Sequence, residues 1–274
     1  MTVENVFDIK GKVAAITGAG GVLCGGLAKA LAERGAAVAV LDIMEPAAAA
    51  VAAEINKAGG KAIAVKCDVL DRASVEAASA RIEKELGPLD FLINGAGGNK
   101  AQATTSDQLP FFDMAPDVVR WVFDLNFLGT FIPCQVFGKA MAERKQGIII
   151  NVSSMNYFRP LTRVPAYSAA KAAISNFTQW LAVHMSQLYS KEIRVNAIAP
   201  GFFLTEQNRF LLTDKATGKL TPRGETIIAH TPMARFGAPE ELVGTVIWLL
   251  SPASKFVHGT TVAIDGGFSA FSGV

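Results

Sequence analysis

Tyr167 and Lys171 stand four residues apart in Ala166-Tyr167-Ser168-Ala169-Ala170-Lys171, at the start of a strongly helical stretch. On a helix that spacing puts both side chains on one face, one turn apart. A tyrosine hydroxyl with an ordinary pKa of about 10 is a poor base near neutrality. An ammonium about 4 Å away, at an effective dielectric of about 20, would interact with the phenolate by about 4 kcal/mol. The pair therefore predicts a phenol drawn down toward the range where a general acid-base group works. Many helices carry such a pair by chance, so the surrounding residues must select it.

A second chemistry-bearing run precedes it. Thr17-Gly18-Ala19-Gly20-Gly21-Val22-Leu23-Cys24-Gly25-Gly26 follows a β-rich run and opens an Ala/Leu-rich helix. A strand, a glycine turn and a helix N-terminus together offer free backbone N–H groups and a positive dipole end to a pyrophosphate, here through Gly18, Gly21, Val22 and Leu23. The next strand ends at Asp42, 24 residues after Gly18. An acidic side chain there accepts hydrogen bonds from both hydroxyls of an adenosine ribose and repels a 2′-phosphate. No Arg or Lys follows until Lys57, so the expected cofactor is NAD rather than NADP.

The elements that must position these groups read as an alternation. Apolar, β-rich runs lie at Val13 to Thr17, Ala37 to Asp42, Ala62 to Lys66, Phe91 to Asn94, Ile148 to Ser153, Val195 to Ala199 and Val262 to Asp265. Helical periodicity fills the spaces between them: Leu23 to Arg34, Pro46 to Lys57, Ser74 to Leu86, Pro116 to Glu143, Ala166 to Tyr189 and Glu240 to Leu250. That pattern predicts an α/β fold, one doubly wound Rossmann-type domain over 1–274 with a seven-stranded parallel sheet and helices on both faces. The broken segment Phe202 to Phe236 follows the sixth strand, where an insertion is placed to cover a ligand, and is read as a substrate lid.

Composition narrows the partners. Half of the 274 residues are apolar, 18% are charged and the net charge is +2, so no global field recommends a nucleic acid or an anionic membrane. Three cysteines and three scattered histidines lack metal-ligand spacing, so no metal is expected. Met1 to Lys12 carries no apolar stretch of signal-sequence length, and no later run approaches the ~20 residues of a membrane helix. A reduced, cytoplasmic protein is the expectation.

Taken in order, these residues resemble the short-chain dehydrogenase/reductase family over essentially the whole chain. Thr17-Gly18 opens its cofactor loop; Asp68-Val69 stands where the family holds adenine; Asn94-Gly95-Ala96-Gly97 resembles its Asn-Asn-Ala-Gly. Asn126 in Leu-Asn-Phe-Leu-Gly, Ser154, Tyr167 and Lys171 match its catalytic set. Pro200-Gly201-Phe202-Phe203-Leu204-Thr205 resembles the Pro-Gly-x-x-x-Thr that meets the nicotinamide carboxamide. The resemblance implies NAD(H)-linked oxidoreduction with Tyr167 as acid-base group and Ser154 bonding the reacting oxygen. Lys171 would bond the nicotinamide ribose and depress the phenol pKa, and Asn126 would hold a proton-relaying water. Ser153, one residue off the spacing, and Tyr157, with no lysine four residues on, are decoys. The family's Thr-Gly-x-x-x-Gly-x-Gly is not met: Val22 and Cys24 stand where glycines are expected, and Cys24 reads as a small packing residue. A homotetramer is also implied, with the apolar tail Phe268 to Val274 available to dock on a neighbour.

Within the family, several segments resemble the D-mannonate oxidoreductase (fructuronate reductase) subgroup of carbohydrate metabolism. They are Ser153 to Asn156, Pro160 to Pro165, Gly201 to Arg209, Ala229 to Met233 and the ending from Asp265. A sugar acid needs a cation for its carboxylate and amides or hydroxyls for its alcohols. Asn99, Lys100, Asn156, Arg163, Gln207, Asn208 and Arg209 are the candidates beside Ser154 and Tyr167, with Arg163 or Lys100 expected to pair with the carboxylate. The alternatives are the same chemistry on another polyol or keto-sugar acid, such as gluconate/5-ketogluconate, and a catalytically silent nucleotide-sensing protein. Against the latter, all four catalytic positions are filled.

Overall fold

Alternate residues of one strand enter different cores. Ala14 and Ile16 of β1 (Val13–Thr17) pack on one face of the sheet, and Val13 and Ala15 on the other. This follows from the two-residue repeat of a strand, and burial on both faces explains why the run is apolar throughout. The computed structural model describes residues 5–205, 209–214 and 217–273, apart from the side chains of 210 and 211.

The chain continues through α1 (Val22–Glu33), β2 (Ala37–Asp42), α2 (Glu45–Lys57), β3 (Lys61–Lys66), α3 (Arg72–Glu85) and β4 (Phe91–Asn94). After α4 (Pro116–Phe123) and α5 (Gly129–Arg144) come β5 (Gly147–Val152), α6 (Pro165–Leu188) and β6 (Ile193–Pro200). Two short helices, α7 (Arg209–Leu212) and α8 (Pro222–Ala229), precede α9 (Val243–Leu250) and β7 (Thr261–Ile264). All seven strands pair in parallel, in the order β3-β2-β1-β4-β5-β6-β7. The protein is thus a single α/β domain of the expected class. Helices α1, α2 and α9 cover one face with Leu27, Leu31, Val51, Ile55 and Val246. On the other, α3, α5 and α6 contribute Val75, Ile82, Phe137, Met141 and Phe177.

Strand order reverses between β1 and β4, which pair with Thr17 opposite Asn94. Connections leave this point in opposite directions and open a crevice beyond the strand ends, the place where such sheets take ligands. Among the described residues no helix is long and apolar enough to cross a membrane.

Helix α3 and the stretch 116–143 depart from the sequence expectation for local reasons. Helix α3 begins two residues before Ser74, because Asp71 caps it by accepting the Ala73 N–H at 3.0 Å, while Ser74 accepts the Asp68 N–H at 3.0 Å. The long helix expected over 116–143 is interrupted by a π-helical turn, Asp124–Leu128. There the Asn126 amide donates to the Val122 carbonyl four residues back at 2.8 Å, taking the place of a backbone N–H.

Candidate active site

The β1–α1 turn is shaped by a close approach. Gly18 has φ +67°, and a Cβ there would lie 2.9 Å from the Ala96 backbone. Thr17 Oγ1 accepts the N–H groups of Gly95 and Ala96, both at 3.1 Å, and so fastens the ends of β1 and β4 together. The N-cap of α1 is Gly21, which supplies no side-chain acceptor, and no acidic residue occupies the first turn. The first-turn N–H groups, with Val22 partly exposed beside them, keep their capacity for an anion. Asp42 is held at the end of β2 by the N–H groups of Gly20 at 3.0 Å and Met44 at 2.9 Å. An uncapped helix start beside a fixed carboxylate suits a dinucleotide: the first meets phosphate, the second ribose hydroxyls.

Other expected cofactor residues are placed differently. Asn94 is turned inward at 1% exposure, donating to Asn151 Oδ1 at 2.9 Å, so it ties β4 to β5. Val69 is buried and packs where a Cβ on Gly129 would stand, leaving Asp68 as the partly exposed member of that pair. Pro200 and Gly201 lie at the β6 exit, where a Cβ on Gly201 would meet Asp265 Cα at 2.6 Å. Phe203 is buried with its ring against Gly237, and Thr205 is 9% exposed.

Tyr167 sits in the first turn of α6, which Pro165 opens, and its hydroxyl hydrogen-bonds Ser154 at the exit of β5. Lys171, one turn on, is 4% exposed and donates from Nζ to the Val152 carbonyl at 2.8 Å. Its Nζ stands 5.4 Å from the Tyr167 ring centroid. This arrangement corrects the expected electrostatics. Burial pushes the Tyr167 phenol above its ordinary value, and only the Ser154 hydrogen bond pulls it down. Lysine does not lower it here because its ammonium is spent on Val152 and is itself desolvated, which brings its own pKa to about 8.

Asn126, fully buried, grips the loop after β4 from both sides: Nδ2 donates to Gly98 O at 2.7 Å and Oδ1 accepts Gly98 N–H at 3.2 Å. A Cβ on Gly97 would lie 2.6 Å from Asn126 Oδ1 and 3.4 Å from Lys171 Nζ, so the two side chains meet across this glycine. Ser153 is structural, bonding Lys171 O at 3.0 Å and Ser175 Oγ at 2.7 Å.

The candidate substrate groups are only partly brought together. Asn156 is 3% exposed and lies between Ser154 Oγ at 3.3 Å and Ser168 Oγ at 3.2 Å, so it orients the serine rather than facing a cleft. Sequence reasoning missed this role, and Ser168 one residue after Tyr167 was its only trace. Asn99 donates to Thr104 Oγ1 at 2.9 Å, and Lys100 Nζ stands 3.4 Å over the Trp121 ring. Arg163 is exposed, with its carbonyl accepting the Thr105 N–H at 2.8 Å, which joins its loop to the one carrying Asn99 and Lys100. Gln207 and Asn208 lie outside the described residues.

Helices α7 and α8 fall within the segment read as a lid. Phe268 packs edge-on against Phe202 at 5.4 Å, His230 stands near both Phe268 and Phe271, and Arg159 donates to Phe271 O at 2.6 Å. Nearby, a cavity of about 490 Å³ opens between Phe202, Met233 and Asp265; its Arg235 is neutralised by two 2.6 Å bonds to Glu241.

The profile of the family described as short chain dehydrogenase matches residues 12–216, well over half of the chain. The chain belongs to the short-chain dehydrogenase family. It is accordingly an oxidoreductase acting on CH–OH groups. Among relatives in this family, an uncharacterised oxidoreductase of Bacillus subtilis is 50% identical, over 97% of this chain and 98% of its own. A solved short-chain dehydrogenase fold from Haemophilus influenzae, a candidate D-mannonate oxidoreductase with bound NAD, is 49% identical with TM-score 0.91, covering 97% of this chain and 98% of its own. A gluconate 5-dehydrogenase from Burkholderia cenocepacia, in complex with NADP and tartrate, is 32% identical with TM-score 0.87, covering 98% of this chain and 100% of its own.

Proposed function

We propose that the chain is an NAD-dependent oxidoreductase of a sugar acid, interconverting D-mannonate and D-fructuronate. The observation that carries the chemistry is the Tyr167–Ser154 hydrogen bond at the strand exit, with Lys171 one turn on. The first-turn N–H groups of α1 hold the pyrophosphate, and Asp42 holds the adenosine ribose. NAD, when bound, takes or supplies the hydride. Burial keeps Tyr167 protonated near neutrality, so it is poised to give its proton to a ketone oxygen, and in oxidation it takes that proton from the alcohol. Ser154 donates to the same oxygen as charge develops there, steadied by Asn156. Asn126 keeps the loop after β4 closed against Lys171, where a water passes protons outward.

The sugar-acid assignment draws support from the Haemophilus influenzae structure and from polar groups on the two joined loops. Lys100 or Arg163 binds the carboxylate, Lys100 by leaving the face of Trp121. Replacing the binding cation by Met is expected to raise KM for fructuronate about tenfold or more with kcat little changed, since a charge-assisted hydrogen bond contributes roughly 1.5–3 kcal/mol. A residue whose replacement leaves that KM unaltered is excluded. NADH consumption with fructuronate, tagaturonate, 5-ketogluconate and simple ketones tests the substrate: a clear preference for 5-ketogluconate would favour the second reading, for which the gluconate 5-dehydrogenase relative speaks. Activity with none of the sugar acids would overturn both.

Asp42→Asn removes the charge and keeps one amide oxygen to accept from Gly20 or Met44, whose N–H groups use separate carboxylate oxygens in the parent. It is expected to improve kcat/KM for NADPH by roughly tenfold, the size of one relieved charge contact. Steady-state kinetics with both cofactors checks this, and an unchanged preference would dismiss the role given to the carboxylate. We further propose a cytoplasmic homotetramer; Trp180, Val183 and Leu188 leave α6 with apolar surface at 54%, 54% and 66% exposure.

A further inference from the structure

We propose that Cys24 and Gly95 form a size-matched interlock that sets the loop after β4, and with it Asn126 and Lys171, against the cofactor loop. Gly95 is not among the positive-φ glycines, so it is not required for backbone freedom. Space requires it: a Cβ at 95 would fall inside the van der Waals envelope of Cys24 Sγ. The same Cβ would sit 3.5 Å from Cys24 Cβ, an ordinary contact, and 2.9 Å from the Thr17 carbonyl. The sulfur is the nearest obstacle, and the Thr17 carbonyl is a second one held by the backbone.

The interlock lies at a junction. Residue 95 touches α1 through the thiol, residue 97 faces Asn126 and Lys171, and residue 98 is gripped by the Asn126 amide. Four consecutive residues thus carry the position of one wall of the crevice to the other. Cys24 is buried, and burial raises its thiol to about 11, so it acts here as a neutral packing group. The sequence departures fall into place together. Where the family pattern has a small residue at 24 and an asparagine at 95, this chain has bulk at 24 and none at 95. The two changes exchange volume across one contact.

A double-mutant cycle tests the coupling. Cys24→Ala, Gly95→Ala and the double variant are compared by NADH fluorescence titration, melting temperature and, on the active substrate, kcat and KM. The titration does not depend on which sugar acid is the substrate, so failure of the substrate assignment leaves it readable. Gly95→Ala alone is expected to weaken NADH binding about tenfold or more and to lower kcat; adding Cys24→Ala should recover part of both, the remainder being the close approach of the Thr17 carbonyl, a coupling within the usual range for contacting residues. Cys24→Ser should stay within about threefold of the parent, because its hydroxyl occupies less space than the thiol. If Gly95→Ala does not fold, recovery of soluble, NADH-binding protein by the double variant is the equivalent readout. A double variant no better than Gly95→Ala overturns the proposal. So does a Gly95→Ala protein whose melting temperature alone changes, since that would be packing without positioning.

Discussion

Tyr167→Phe is expected to lower kcat by roughly 10²–10⁴-fold, the contribution of a positioned acid-base group. Affinity for NADH should change by no more than about threefold, since the ring and its burial are retained. The substitution removes one oxygen whose partner in the fold is Ser154, and Ser154 keeps Asn156 as a neighbour at 3.3 Å. No buried donor is stranded, so the fold should tolerate the change. Stopped-flow hydride transfer and equilibrium NADH titration separate the two effects. Turnover within a few-fold of the parent would remove Tyr167 from the chemistry.

Lys171→Met should cost about 10²-fold or more in kcat/KM, comparable with removing one preorganised electrostatic contact. Its pH signature is more telling. Burial lowers the amine to about 8, so the ammonium predominates below that pH and is lost as pH rises through it. Since kcat/KM for NADH reports groups of the free enzyme, it should decline above about pH 8 in the parent, and Lys171→Met should lack that inflection. The phenol, raised above its ordinary value, adds its own loss of acid function only at still higher pH. An unchanged inflection in the variant would assign it to another group. The direction of the tyrosine shift also bears on mechanism: in the ligand-free chain the residue is an acid awaiting a ketone rather than a preformed phenolate.

The strands were legible to within a residue or two because each is a short, largely apolar run, and the five between the edge strands β3 and β7 are largely buried on both faces. The grouping of Asn126, Ser154, Tyr167 and Lys171 was legible in their order and spacing: the fold sets Ser154 against Tyr167, and Asn126 across Gly97 from Lys171. Their interplay was not: the partner that captures Lys171 is the main-chain carbonyl of Val152, which any residue type supplies. Asn94 and Asn156 were read as ligand contacts because polar residues at strand exits often are. In the fold their side chains donate to buried neighbours, Asn151 on β5 and Ser168 on α6 respectively. The sequence offers Lys100, beside Arg163, as partner of the substrate carboxylate, and its perch on Trp121 depends on α4, 21 residues further along. Periodicity could not reveal the break in the 116–143 helix, since a π turn shifts the repeat by a single residue. The glycine loop's irregularity at Cys24 had an explanation only once Gly95 was seen opposite it.

That wide turn around Asn126 amounts to one extra residue threaded into otherwise regular winding. Excising it would return the Val122 carbonyl to a main-chain donor and swing one flank by about 100° relative to the other. A tidier, more rigid rod would then carry its amide away from Gly98. Engineering for thermal robustness by smoothing this irregularity would trade catalytic alignment for helix regularity.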